Sequence, residues 1–166
     1  EISECDWSSD VCSSDPELGP EAEERLRVLI SQKNSFGVEE FVEEQKLKDS
    51  MQKAFTEIPQ MFGSEEVLKK ARSLTNNACA LEAVSRLEEI YEIMKNYGYE
   101  KYISFDFGML SKYQYYTGII FQGYTYGTGE PIVKGGRYDH LIEKFGKKSP
   151  SIGFAIVIDE LVSALT

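Results

Sequence analysis

Residues 111–124 read SKYQYYTGIIFQGY: three tyrosines and a glutamine lead to a Thr-Gly step, then to a β-branched and aromatic run. Such a run suits a pleated, half-buried surface. The reading predicts a long aromatic strand from Tyr113 to Tyr124, with Tyr115 and Tyr116 on opposite faces. Just upstream, Ile103, Phe105 and Phe107 alternate with Tyr102, Ser104 and Asp106, the period of a strand with one buried face. Downstream, YGTGEP is a turn and Ile132–Lys134 a short strand. Arg137 to Phe145 reads as a helix closed by Gly146, Ser151 to Ile158 (SIGFAIVI) as a buried strand, and Asp159 as the opening of a last helix.

Before Gly98 the period is helical. Leu26, Leu29 and Ile30 share a face, as do Val38, Phe41 and Val42; Leu47, Met51, Phe55 and Ile58 continue the stripe until Pro59. Ser64 followed by Glu65 and Glu66 marks a helix start, a cap with acids at the positive dipole end. The longest helix is expected from about Cys79 to Tyr97, striped by Leu81, Val84, Leu87, Tyr91 and Met94 and stopped by Gly98. These stripes are core faces. The expected class is therefore α+β: a helical segment over 17–98, then over 99–166 an antiparallel meander with helices on one face, not alternating βαβ.

The opening EISECDWSSDVCSSDP has neither period and matches nothing downstream. Asp6 to Asp15 reads as the translation of a string resembling a widely used sequencing adapter, so residues 1–16 are expected to be a non-native or disordered tail. Removing its five acids from the chain's 28 leaves 23 against 18 Lys and Arg. Even so the balance is acidic, which disfavours an autonomous nucleic-acid surface, since phosphate binding needs clustered cations. No apolar run is long enough to span a bilayer. Cys5, Cys12 and Cys79 show neither zinc spacing nor a disulfide framework, so no metal is expected and the compartment is expected to be the reducing cytoplasm. The chain is expected to be an internal piece of a longer protein.

Three stretches carry polar chemistry: YQYYTGIIFQ, KGGRYDHLIEKFG and SIGFAIVIDEL. Each alone has a structural explanation. Read singly, Gly135-Gly136 suits a simple turn, Arg137 suits a pair with Asp139 or another acid, and His140, the only histidine, suits a surface or packing position and is left out of the site. In order and together they resemble the class II aminoacyl-tRNA synthetase core of histidyl-tRNA synthetase. The likeness is to its Arg-Gly-Leu-Asp-Tyr-Tyr-Thr-Gly motif, its Gly-Gly-Arg-Tyr-Asp motif and its last class II motif. Here these read SKYQYYTG, GGRYD and GFAIVIDEL. Within that superfamily, the whole of residues 105–146 and the lead-in LISQKNSFGVEEF resemble the regulatory subunit of ATP phosphoribosyltransferase.

The departures from the enzyme motifs are electrostatic. Adenylate formation joins two anions and builds charge on phosphate, so the site needs fixed cations. The arginine preceding the tyrosine pair falls on Ser111, and the arginine of the last motif falls on Glu160. One unit charge at roughly 4 Å is worth about 4 kcal/mol at an effective dielectric of about 20. Losing ~3 kcal/mol of transition-state stabilisation slows a reaction roughly a hundredfold. Lys112, next to Ser111, would face the other way on a strand, and only an irregular loop would swing it in to replace the lost arginine.

The resemblance thus implies no catalytic residues and no cofactor. It implies a histidine-binding pocket of Tyr116, Tyr138, Gln114, Gly135, Gly136 and Arg137. In it, aromatic faces cover a flat imidazole, phenols meet its nitrogens and glycines let the backbone approach. It further implies a regulatory, non-catalytic subunit that partners the short-form ATP phosphoribosyltransferase catalytic subunit. The regulatory subunit would be a homodimer within a hetero-oligomer, with histidine as effector and without tRNA or membrane. The alternatives are a fragment of an active histidyl-tRNA synthetase, or a synthetase-like module with another partner.

Overall fold

The computed structural model describes residues 18–110 and 115–165, apart from the Lys144 side chain. The expected tail, residues 1–16, and the positions Ser111, Lys112, Tyr113 and Gln114 lie outside the described residues. The chain divides between Leu110 and Ser111 into two units.

The first unit is helical. Helix α1 (Pro20–Ser31) starts on a proline with Glu21 and Glu23 in its first turn and buries Leu26 and Ile30. Helix α2 (Ser35–Glu44) is capped by Asn34, whose side chain accepts from the Gly37 N–H at 3.0 Å, and it buries Val38, Phe41 and Val42. Helix α3 (Asp49–Glu57) runs into a 3-10 turn at Ile58–Gln60, where Pro59 ends the α-helical ladder. Helix α4 is Glu65–Leu74 and α5 is Ala78–Asn96, after which Gly98 turns the chain with φ of 75°. Ser64 stands at the N-cap of α4 but its side chain makes no capping bond, whereas Asn77 caps α5 by accepting from the Ala80 N–H at 3.0 Å.

A two-stranded ribbon completes this unit: β1 (Phe62–Gly63) pairs antiparallel with β2 (Phe105–Asp106). The alternation in residues 102–107 is real, with Phe105 and Phe107 buried and Tyr102 exposed. Its inward face packs among the helices, where Phe105 meets Tyr91 edge-on at 5.8 Å. The Asp106 carboxylate accepts from the Gly108 N–H at 2.9 Å and from Lys33 Nζ at 2.7 Å. The core joins Leu26, Ile30, Phe41, Phe55, Ile58, Leu68 and Val84 to these two phenylalanines; each fully buried large side chain contributes about 1.5–3 kcal/mol.

The second unit is a three-stranded antiparallel sheet, β3 (Ile120–Gly123), β4 (Val133–Arg137) and β5 (Ile152–Ile156), in that order, followed by α6 (Ile158–Leu165). Three expectations are corrected here. Among the described residues the aromatic strand covers only Ile120–Gly123, so Tyr115 and Tyr116 do not alternate across a sheet. Arg137 ends β4, and Arg137–Phe145 is not a helix: only a 3-10 turn at Ile142–Phe145 forms, closed by Gly146 with φ of 93°. Finally, β5 is not buried within this chain. It is an edge strand of the described sheet, and Ile152, Phe154 and Ile156 are 63%, 66% and 48% exposed. No helix among the described residues is long and apolar enough to cross a membrane.

Candidate functional site

The register of the sheet builds the site. Gly136 on β4 stands opposite Gly153 on β5, and cross-strand partners present the same face. Both lack side chains, and tyrosines occupy the space. A Cβ placed on Gly136 would lie 2.6 Å from Tyr116 Cδ1, and one on Gly153 would lie 2.6 Å from the Tyr138 hydroxyl. The Tyr115 ring lies 4.5 Å from that of Tyr116 and meets that of Tyr138 edge-on at 6.1 Å. Three aromatic rings thus gather over the two glycines, with Tyr115 and Tyr138 in the edge-to-face geometry that such rings prefer and Tyr115 and Tyr116 tilted by 44°.

Gly135 faces the other side, where its Cβ position is filled by Phe121 Cζ at 2.6 Å and Phe154 Cβ at 2.7 Å. Arg137 shares that opposite face by strand alternation. Its Nε donates to the Asp139 carboxylate oxygens at 3.0 and 2.9 Å. Hydrogen bonding from this guanidinium holds the Asp139 carboxyl below the ordinary aspartate range, against the opposing effect of burial; the Ser151 backbone and the Thr117 hydroxyl add to the lowering. Backbone bonds tie the tyrosine-bearing segment to β4: Thr117 N–H to the Arg137 carbonyl and Arg137 N–H to the Ile119 carbonyl, both 2.9 Å. The Asp139 N–H donates to Thr117 Oγ1, also at 2.9 Å.

Of the expected pocket residues, the fold therefore brings Tyr116, Tyr138 and Gly136 together. Gly135 lies behind them, Arg137 is engaged by Asp139, and Gln114 lies outside the described residues. His140 is exposed, with Nδ1 3.3 Å from a Glu143 carboxylate oxygen. Glu160 lies in the first turn of α6. Sequence reasoning missed Gly153, Tyr115 and Thr117. The signal for Gly153 was a residue without a side chain between the large apolar residues of SIGFAI.

Among the described residues no group of three or more His, Cys, Asp or Glu converges as metal ligands. In the helical unit, a depression of about 160 Å³ is lined by Glu65, Leu68, Lys69, Glu88, Tyr91 and Glu92. Its charges serve surface ion pairs such as Lys69–Glu65 at 3.0 Å. The tyrosine cluster presents aromatic faces and phenol groups above backbone whose side-chain space the Tyr116 and Tyr138 rings themselves fill.

The profile of one family, described as histidyl-tRNA synthetase, matches residues 9–161. The chain belongs to the histidyl-tRNA synthetase family. Two relatives named ATP phosphoribosyltransferase regulatory subunit resemble it over most of its length. The protein of Acetivibrio thermocellus is 43% identical over 89% of this chain and 35% of its own. That of Clostridium acetobutylicum is 41% identical over 92% of this chain and 38% of its own. The chain thus spans little more than a third of the length of these relatives. A solved structure titled ATP phosphoribosyltransferase regulatory subunit/histidyl-tRNA synthetase from Bacillus halodurans C is 29% identical. It superposes with a TM-score of 0.87, covering 96% of this chain and 42% of that one. The histidyl-tRNA synthetase from Nostoc sp. PCC 7120, at 22% identity and a TM-score of 0.74 over 96% of this chain and 40% of that one, shares the fold. The mixed helical and antiparallel architecture is accordingly that of the histidyl-tRNA synthetase-like class II core.

Proposed function

We propose that this chain is part of a non-catalytic regulatory subunit of ATP phosphoribosyltransferase. In this reading the subunit is needed for activity of the short-form catalytic subunit and confers feedback inhibition by histidine on the first step of histidine biosynthesis. The observation that carries the reading is a split between two halves of a synthetase site. The aromatic floor of Tyr116, Tyr138, Gly136 and Gly153 is kept, while Ser111 and Glu160 stand where the synthetase motifs have arginines. The names of the relatives at 41–43% identity support it.

Histidine bound over the tyrosines favours a less active state of a cytoplasmic hetero-oligomer in which this subunit is dimeric and no tRNA takes part. By linkage, the active state weakens histidine binding by the same factor. The test mixes the full-length protein with the short catalytic subunit and follows phosphoribosyl-ATP formation. Activation that histidine reverses supports the reading; no activation, or activation indifferent to histidine, overturns it. The match to the synthetase family itself favours a second reading, an active histidyl-tRNA synthetase. Pyrophosphate exchange dependent on histidine decides for that alternative.

A further inference from the structure

The segment carrying Tyr115 and Tyr116 is not a strand, yet its rings are tightly placed. The pairing of Ile120 with Gly136, extended backwards, sets Thr117 opposite Asp139. At that point the Asp139 N–H goes to the Thr117 hydroxyl rather than to a main-chain carbonyl. The Thr117 N–H goes to the Arg137 carbonyl, and the Arg137 side chain closes the group by donating to the Asp139 carboxylate, whose side chain is only 13% exposed. Tyr116 immediately precedes Thr117, and Tyr138 lies between Arg137 and Asp139. Tyr138 is anchored to β5 by its own N–H, which donates to the Ser151 carbonyl at 2.7 Å, so the placement of Tyr116 against it depends on the Thr117–Asp139 step.

We infer that Thr117, backed by Asp139 and Arg137, is a positioning residue that fixes the separation of Tyr116 and Tyr138 in the proposed histidine pocket. The inference rests on that reading of the pocket. A hydroxyl is required because it receives the Asp139 N–H; valine fills the same volume and offers no acceptor. Without the hydroxyl, a shielded N–H loses its partner and the tyrosine segment is free to shift along β4.

The experiment measures L-histidine binding to the full-length protein by calorimetry, for wild type, Thr117→Val, Thr117→Ser and Thr128→Val, well below each melting temperature. Thr128 is a matched control: its hydroxyl donates to the Glu130 carbonyl at 3.0 Å in the turn between β3 and β4, away from the tyrosines. Thr117→Val is expected to weaken binding about tenfold, the effect of one lost hydrogen bond. Thr117→Ser and Thr128→Val are expected to stay within about twofold of wild type, because serine keeps the bond and the turn does not set the tyrosines. Wild-type affinity in Thr117→Val, equal weakening in Thr117→Ser, or equal weakening in Thr128→Val overturns the inference while leaving histidine binding intact. A wild-type protein that binds no histidine removes the pocket reading, and this inference with it.

Discussion

Replacing Gly136 by alanine tests the glycine floor. The added methyl would lie 2.6 and 2.7 Å from two carbons of the Tyr116 ring and 2.9 Å from the Ile119 carbonyl oxygen. Carbon atoms pack comfortably at about 3.5–4.0 Å, so the ring must retreat by roughly 1 Å. It is backed by Tyr115, whose centroid is 4.5 Å away, and the carbonyl belongs to the backbone that bonds β4. Overpacking of this kind costs about 1–3 kcal/mol. Against it stands a gain of about 0.4–1 kcal/mol, because alanine restricts the unfolded chain. The expected net loss is about 1–2 kcal/mol, which lowers a urea midpoint by roughly 0.5–1 M for a slope near 2 kcal/mol/M. Gly129→Ala supplies the comparison: nothing lies within 4 Å of its Cβ position, so that variant is expected at or slightly above wild type. Equal midpoints for the two variants would refute the claim that Tyr116 fills the space over Gly136.

Two further outcomes follow from the local chemistry. Asn77→Ala is expected to lower stability by about 1 kcal/mol, while Ser64→Ala changes it by less than about 0.5 kcal/mol, because only Asn77 makes its capping bond; thermal unfolding followed by circular dichroism distinguishes them. Asp139→Asn is expected to cost about 1 kcal/mol at neutral pH, modest because the Arg137 side chain is about a third exposed. Asp139 has a depressed pKa in the folded chain, so its contribution is complete above the unfolded value of about 3.9 and fades as pH falls through the folded one. The stability gap between wild type and Asp139→Asn should therefore close in acid; a gap that widens below about pH 4 contradicts the assignment.

The sequence made the helical unit legible because its apolar stripes at Leu26/Ile30 and Val38/Phe41/Val42 are the faces that are buried. It misled where a local pattern competed with long-range pairing. Tyr115 and Tyr116 have strand composition, but the Thr117–Asp139 contact and the ring-filled space over Gly136 take them out of the ladder. The apolar and polar spacing of RYDHLIEKF suggests a helix, yet pairing of Arg137 with Ile152 commits its start to β4. The apolar run of β5 reads as buried, but burial depends on what covers a strand, which its own residues do not encode. At the site, residue types pointed to Tyr116, Tyr138 and Gly136. Only the cross-strand register shows Gly153 completing the floor and Gly135 and Arg137 turned to the other face.

The central claim is that an aromatic pocket for histidine persists where the cations for adenylate chemistry are gone. The most direct measurement pairs histidine binding with histidine-dependent ATP–pyrophosphate exchange on the same preparation of the full-length protein. The account predicts saturable histidine binding and exchange no faster than the buffer blank. Histidine-dependent exchange at a rate well above that blank would contradict it.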